Sequence, residues 1–171
     1  MFAESRRKVT LQQAAQLQKQ LDSGIVSVGV FVNEKIENIL RVEFVDMIQL
    51  HGNESEKYIA ELKSLTTKPI IKSTAVNQTK ESNLPSMAHR ADFLLFDSPV
   101  PGSGKTFDWG NIPKTNKPFF LAGGLNVGNI AQAIQCCKPY AIDVSSGVEI
   151  NGVKDRAMII EIVKTLKQNE R

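Results

Sequence analysis

Four short stretches of the sequence combine residue types that can do chemistry at neutral pH. The apolar run Phe93-Leu-Leu-Phe96 ends in Asp97 and Ser98. A carboxyl group beside apolar walls tends to hold its proton to higher pH, which suits a general acid; the plainer reading is an aspartate that caps a loop. Asp143 closes a second apolar strand in the same way and carries the same two readings. Gly123-Gly124 and Ser145-Ser146-Gly147 are small residues whose backbone N–H groups can approach an anion closely, so they mark a phosphate site or simply two turns. In Gln49-Leu-His51-Gly52, His51 is a substrate contact or a hydrogen-bonded histidine at a strand end.

Two other patterns suggest chemistry and fail on inspection. Pro99-Val-Pro-Gly-Ser-Gly-Lys-Thr106 resembles a phosphate-binding G-x-x-x-x-G-K-[ST] loop, but Pro99 stands where the first glycine belongs. Gly110 and Pro113 then leave no room for the helix that such a loop needs, so a mobile active-site loop is the better expectation. Cys136 and Cys137 are adjacent, sit on or beside the apolar stripe of one helix, and match neither a nucleophile nor a metal site.

These residues need elements to position them. Thr10 and Gln13 form a capping box ahead of Leu11, Ala14, Leu17 and Leu21, which predicts an opening helix that Gly24 stops. Ile25–Val32 is β-branched and reads as a strand, and Asn33 is placed to cap a helix bearing Ile36, Ile39, Leu40 and Phe44. Further strands are expected at Met47–Leu50, Pro69–Lys72, Phe93–Phe96, Phe119–Ala122 and Tyr140–Val144. Helices are expected to carry Tyr58, Ile59, Leu62 and Leu65; Val127, Ile130, Ala131, Ile134 and Cys137; and Ile159, Ile162, Val163 and Leu166. Within Met47–Leu50 and the residues after it, Ile48 and Leu50 share one side and Gln49 and His51 the other.

Regular alternation of strand and helix implies α/β architecture with a parallel sheet. Strand starts near residues 26, 46, 69, 92, 118 and 139 recur about every 23 residues, an even spacing that favours a closed (β/α)8 barrel over an open doubly wound sheet. In both architectures function gathers at the carboxyl ends of strands. Barrels often bind phosphate with the loops after their last two strands, which here are the Gly123-Gly124 and Ser145–Gly147 loops.

Composition narrows the classes. The 171 residues are 42% hydrophobic and 23% charged with a formal net charge of +3, as in one globular domain. That charge is too mild and too dispersed to argue for nucleic acid or a membrane surface. No apolar run is long enough to span a bilayer and the first residues lack a secretory pattern, so a soluble, cytoplasmic protein is expected.

The motifs GVFVN (29–33), QLHG (49–52), LLFDS (94–98), GSGKTFDW (102–109), LAGGLN (121–126) and DVSSGVE (143–149) resemble, in order and spacing, the phosphoribosylanthranilate isomerase family of tryptophan biosynthesis. The resemblance implies a (β/α)8 TIM barrel with no metal or organic cofactor and a small phosphorylated substrate. It implies an Amadori rearrangement of N-(5′-phosphoribosyl)anthranilate to 1-(2-carboxyphenylamino)-1-deoxy-D-ribulose 5-phosphate. By the same resemblance Asp97 is the general acid and Arg7 meets the anthranilate carboxylate. Gly123, Gly124, Ser145, Ser146 and Gly147 form the phosphate site, and Asp143 is a polar contact near the sugar.

The family's general base is a cysteine in an apolar-Cys-Gly-[Leu/Ile]-Thr motif at the end of its first strand, and this sequence contains no such motif. Phe2 aligns with the end of the family's second strand. The expectation is therefore a partial barrel domain over residues 1–171, with six complete strands and without the first strand, first helix and most of the second strand. Three readings follow: an isomerase of that family whose start is set too late or whose N-terminus is deleted, an inactive phosphate-binding remnant, or an active variant in which His51 or another group has taken over as base. Open strand edges are expected to promote self-association.

Overall fold

A computed structural model describes residues 8–76, 90–99 and 106–169. Arg7 and most of the Pro99–Thr106 loop lie outside the described residues. The chain divides into two compact units, Met1–Ser73 with Leu84–Leu94, and Thr74–Asn83 with Leu95–Arg171.

The first unit opens with α1 (Leu11–Gln18), whose capping box forms as expected: Thr10 accepts from the Gln13 N–H, and the Gln13 side chain returns to the Thr10 N–H. Its leucine stripe is not buried, however; Leu11, Leu17 and Leu21 are 38%, 54% and 41% exposed. Three strands follow, β1 (Val28–Phe31), β2 (Met47–Leu50) and β3 (Ile70–Ala75), with α2 (Ile36–Leu40) and α3 (Glu56–Leu65) between them. The strands pair in parallel, with Phe31 opposite Leu50 and Leu50 opposite Lys72. Phe31, Ile39, Ile48, Leu50, Ile59, Leu62 and Ile70 form the core of this unit, so the apolar side of β2 packs on the helices as its alternation predicts.

Two expectations are corrected here. Asn33 does not cap α2: it adopts a left-handed φ of 49°, and its side chain accepts from the Asn53 N–H instead. Phe44 lies beyond α2, because the chain turns after Leu40 and the carbonyls of Val42, Glu43 and Val45 accept from the Lys68 ammonium rather than from helical N–H groups. Burial first of all holds the Lys68 pKa below its ordinary value.

The second unit contains the C-terminal part of β4 (Phe93–Asp97), together with β5 (Phe119–Leu121), α4 (Ile130–Cys137), β6 (Ala141–Ile142), the hairpin β7 (Glu149–Ile150) and β8 (Val153–Lys154), and α5 (Arg156–Asn169). A single 3-10 turn forms over Trp109–Asn111. β5 and β6 pair in parallel. The helix after Gly123-Gly124 begins at Ile130, which leaves the expected Val127 ahead of it, because the Asn126 and Asn129 side chains bond the N–H groups of Asn126 and Gly128 into a turn. Ile162 of α5 is buried against Ile130 and Val148 with the half-buried Met158 and Leu166 beside it, so Ile162 and Leu166 face inward as expected, while Ile159 and Val163 stay near 40% exposed.

The strand order in the main sheet is β1-β2-β3-β4-β5-β6, with no reversal. An open doubly wound sheet reverses its order at a switch point, so succession in chain order favours the barrel-type winding expected from the even spacing.

Candidate active site

In the second unit, the ends of β4, β5 and β6 bring four predicted site segments together. Asp97 ends β4, and its Oδ1 accepts from the Ser98 N–H at 2.7 Å. Parallel pairing continues past the strands: Ala122 N donates to Phe96 O at 2.8 Å, and Asp143 N donates to Leu121 O at 2.8 Å. Gly123 and Gly124 follow with φ of 84° and 66°. Successive left-handed residues cost a glycine little and turn backbone N–H groups out of the ladder, as an anion-binding concavity requires.

The close approaches are specific. A Cβ on Gly123 would lie 2.7 Å from the Ser98 backbone nitrogen and 3.2 Å from Asp97 Oδ1, so this glycine sits against the acid. A Cβ on Gly147 would lie 1.8 Å from Leu125 O, which seats the Ser145–Gly147 loop directly on the residues after Gly124. Ser145 and Ser146 are exposed, Asp143 is half-buried, and the Gly124 carbonyl accepts from the Asn129 side chain at 3.0 Å. The arrangement thus sets glycines with left-handed backbone and the Ser145–Gly147 loop close to the Asp97 carboxyl group and to Leu125.

Lys154 was not legible as part of this region. The hairpin turns through Asn151 (φ 53°) and Gly152 (φ 79°), returning Lys154 to donate to Ser145 O at 2.7 Å and to pair with Glu149 at 2.8 Å. The Asn-Gly pair between short apolar stretches was the signal that would have found it.

His51 belongs to the first unit. Its Nδ1 lies 3.0 Å from Gln49 Nε2 and its Nε2 lies 3.5 Å from Ser73 Oγ. Behind the same strand ends lies a feature that the sequence reading passed over: Lys72 and Glu54 form an ion pair at 3.0 Å, both side chains 1% exposed. A lysine after Pro-Ile-Ile and before a Ser was the available signal, since an apolar strand rarely admits an unpaired charge.

Cys136 is exposed and Cys137 half-buried; burial pushes the Cys137 thiol up to about 11, the opposite of nucleophile activation. Among the described residues no group of three or more His, Cys, Asp or Glu is placed to hold a metal ion, and no helix is long and apolar enough to cross a membrane.

Residues 1–165 match the family described as N-(5′phosphoribosyl)anthranilate (PRA) isomerase. An N-(5′-phosphoribosyl)anthranilate isomerase from Endomicrobium trichonymphae is 47% identical, with 98% of this chain and 85% of that protein covered. The crystal structure of the phosphoribosyl anthranilate isomerase from Thermotoga maritima superposes with a TM-score of 0.80 at 33% identity, covering 96% of this chain and 84% of that one. A phosphoribosyl anthranilate isomerase in complex with reduced 1-(o-carboxyphenylamino)-1-deoxyribulose 5-phosphate gives 0.73 at 30% identity, covering 96% and 83%.

Proposed function

Since this chain belongs to the N-(5′-phosphoribosyl)anthranilate isomerase family, enzymes of tryptophan biosynthesis, we propose that its second unit binds the phosphate of N-(5′-phosphoribosyl)anthranilate and supplies the acid for its Amadori rearrangement. The observation that carries this reading is the contact of Gly123 with Asp97 and Ser98, together with the seating of Gly147 on Leu125. In the proposed reaction the phosphate sits on the backbone N–H groups of Gly123, Gly124, Ser145, Ser146 and Gly147, with the sugar near Asp143. Asp97 protonates the furanose ring oxygen, and the C1′–O bond opens to a Schiff base. A base then removes the C2′ proton, and the enolamine tautomerises to the ketone. Arg7 meets the anthranilate carboxylate through its planar fork. His51 is a further substrate contact in the first unit.

Residues 1–171 act in this reading as one domain of the (β/α)8 type in a cytoplasmic enzyme. The sequence has no apolar-Cys-Gly-[Leu/Ile]-Thr motif, and Cys136 and Cys137 lie on α4. A positioned acid or base contributes about 10² to 10⁴-fold, so these 171 residues without that motif are expected to turn over slowly. The same observation favours a second reading, an inactive phosphate-binding remnant. Loss of anthranilate-substrate fluorescence with purified protein tests both. Slow turnover that Asp97→Asn abolishes supports the first reading, and phosphate-ligand binding without turnover supports the second. Turnover left unchanged by Asp97→Asn defeats the acid assignment, and fast turnover would move the base to His51.

A further inference from the structure

We propose that the buried Lys72–Glu54 pair is a positioning device that fixes His51 from behind the sheet for ligand contact. This inference rests on the reading of His51 as a substrate contact. Lys72 stands opposite Leu50 in register, so it shares the helix-facing side of the sheet with Ile48 and Leu50, and His51 lies on the other side with Gln49. From that side the Lys72 ammonium donates to Gly52 O at 2.6 Å, to Glu54 Oε2 at 3.0 Å and, at 3.4 Å, to Leu50 O. Its three protons are thereby used, two of them on the carbonyls that bracket His51.

Glu54 completes the clamp. Its carboxylate accepts from the Gly52 N–H at 3.1 Å and from the Asn33 N–H at 2.9 Å, tying the end of β1 to the same turn. The His51 N–H donates to Phe31 O at 2.8 Å. A Cβ on Gly52 would lie 2.4 Å from Asn33 Oδ1 and 2.7 Å from Glu54 Oε1, so the turn closes directly on the pair. On the other side, Ser73, the residue after Lys72, reaches the His51 ring. One strand therefore holds the histidine twice, by its backbone through Lys72 and by its ring through Ser73.

Stability alone does not account for a charge pair here. Well-packed apolar residues of similar volume often replace a buried ion pair without loss, whereas they cannot donate to or accept from the peptide groups around His51.

The test compares wild-type protein with the double variant Lys72→Met/Glu54→Leu and with Glu54→Gln. The readouts are the thermal midpoint, His51 ring nitrogen shifts, amide exchange at Asn33 and Gly52, and affinities for the reduced product analogue and for inorganic phosphate. In the wild type, His51 is expected as a single tautomer with slow exchange at both amides. The double variant is expected to stay folded while His51 averages over both tautomers and the two amides exchange about tenfold faster or more. Analogue affinity is expected to fall about tenfold, with inorganic phosphate affinity unchanged. A folded variant whose His51 tautomer and amide exchange match the wild type overturns the proposal. Loss of folding in both variants overturns it too, since the pair then serves stability. A wild-type protein that binds neither analogue nor phosphate defeats the functional reading instead, and the His51 data still decide the positioning role.

Discussion

A methyl group on Gly147 has nowhere to go, because its carbon would lie 1.8 Å from Leu125 O. Gly147→Ala should therefore push the Ser145–Gly147 loop off the residues after Gly124. Stability should fall by about 1 to 3 kcal/mol in chemical denaturation, and inorganic phosphate should bind more weakly by calorimetry. Titration gives a second prediction. Burial pushes Cys137 from 9.0 up to about 11 and Tyr58 from 10.0 up to about 12. The unfolded chain releases these protons first, so stability is full below pH 9 and declines as pH rises from about 9 to about 12. Tyr58→Phe should flatten the upper part of that decline in pH-dependent melting. It also removes a 2.6 Å bond to Glu34 O, at a cost of about 1 kcal/mol near neutrality. The places of Asp97 and of Gly123 at strand ends were legible because the apolar runs before them mark where the strands stop. Lys72 was not, because its meaning lies in Glu54, 18 positions earlier in the chain and brought beside it only by the fold.

Elements were legible where the signal was local. The Thr10–Gln13 box caps α1, and Ile59 and Leu62 bury the inner face of α3. The chain departed from its local pattern where a distant group intervened: Lys68 draws the carbonyls after α2 to itself, and Glu54 and Asn53 take the groups of Asn33 that would have capped a helix. In α5 the expected Ile162 and Leu166 face inward, but packing near Ile130 of α4 adds Met158 to them in place of Ile159 and Val163, because the helix has apolar residues on more than one side. Thr10→Ala is expected to cost about 1 kcal/mol, seen as faster amide exchange confined to α1, because α1 has no buried residue to transmit the loss to the core.

At the scale of the whole molecule, exposed apolar surface is concentrated at particular places. In the first unit, Leu17, Leu21, Ile25 and Val26 are each more than 40% exposed, beside a cleft of about 260 Å³ lined by Leu11, Ala14, Val28 and Phe44. Among the described residues β1 neighbours only β2 in the sheet, and β6 only β5. Self-association through such edges follows as part of the proposed function: sedimentation should show concentration-dependent oligomers, and Leu17→Glu with Val26→Lys should shift them toward monomer. The central claim is that the second unit carries a phosphate cradle beside an acid, and calorimetric titration of the purified protein with reduced 1-(o-carboxyphenylamino)-1-deoxyribulose 5-phosphate tests it most directly. Saturable binding is expected, which inorganic phosphate competes away, Gly147→Ala weakens and Asp97→Asn leaves largely intact. Binding that phosphate does not displace and Gly147→Ala does not alter, or no binding at all, would contradict it.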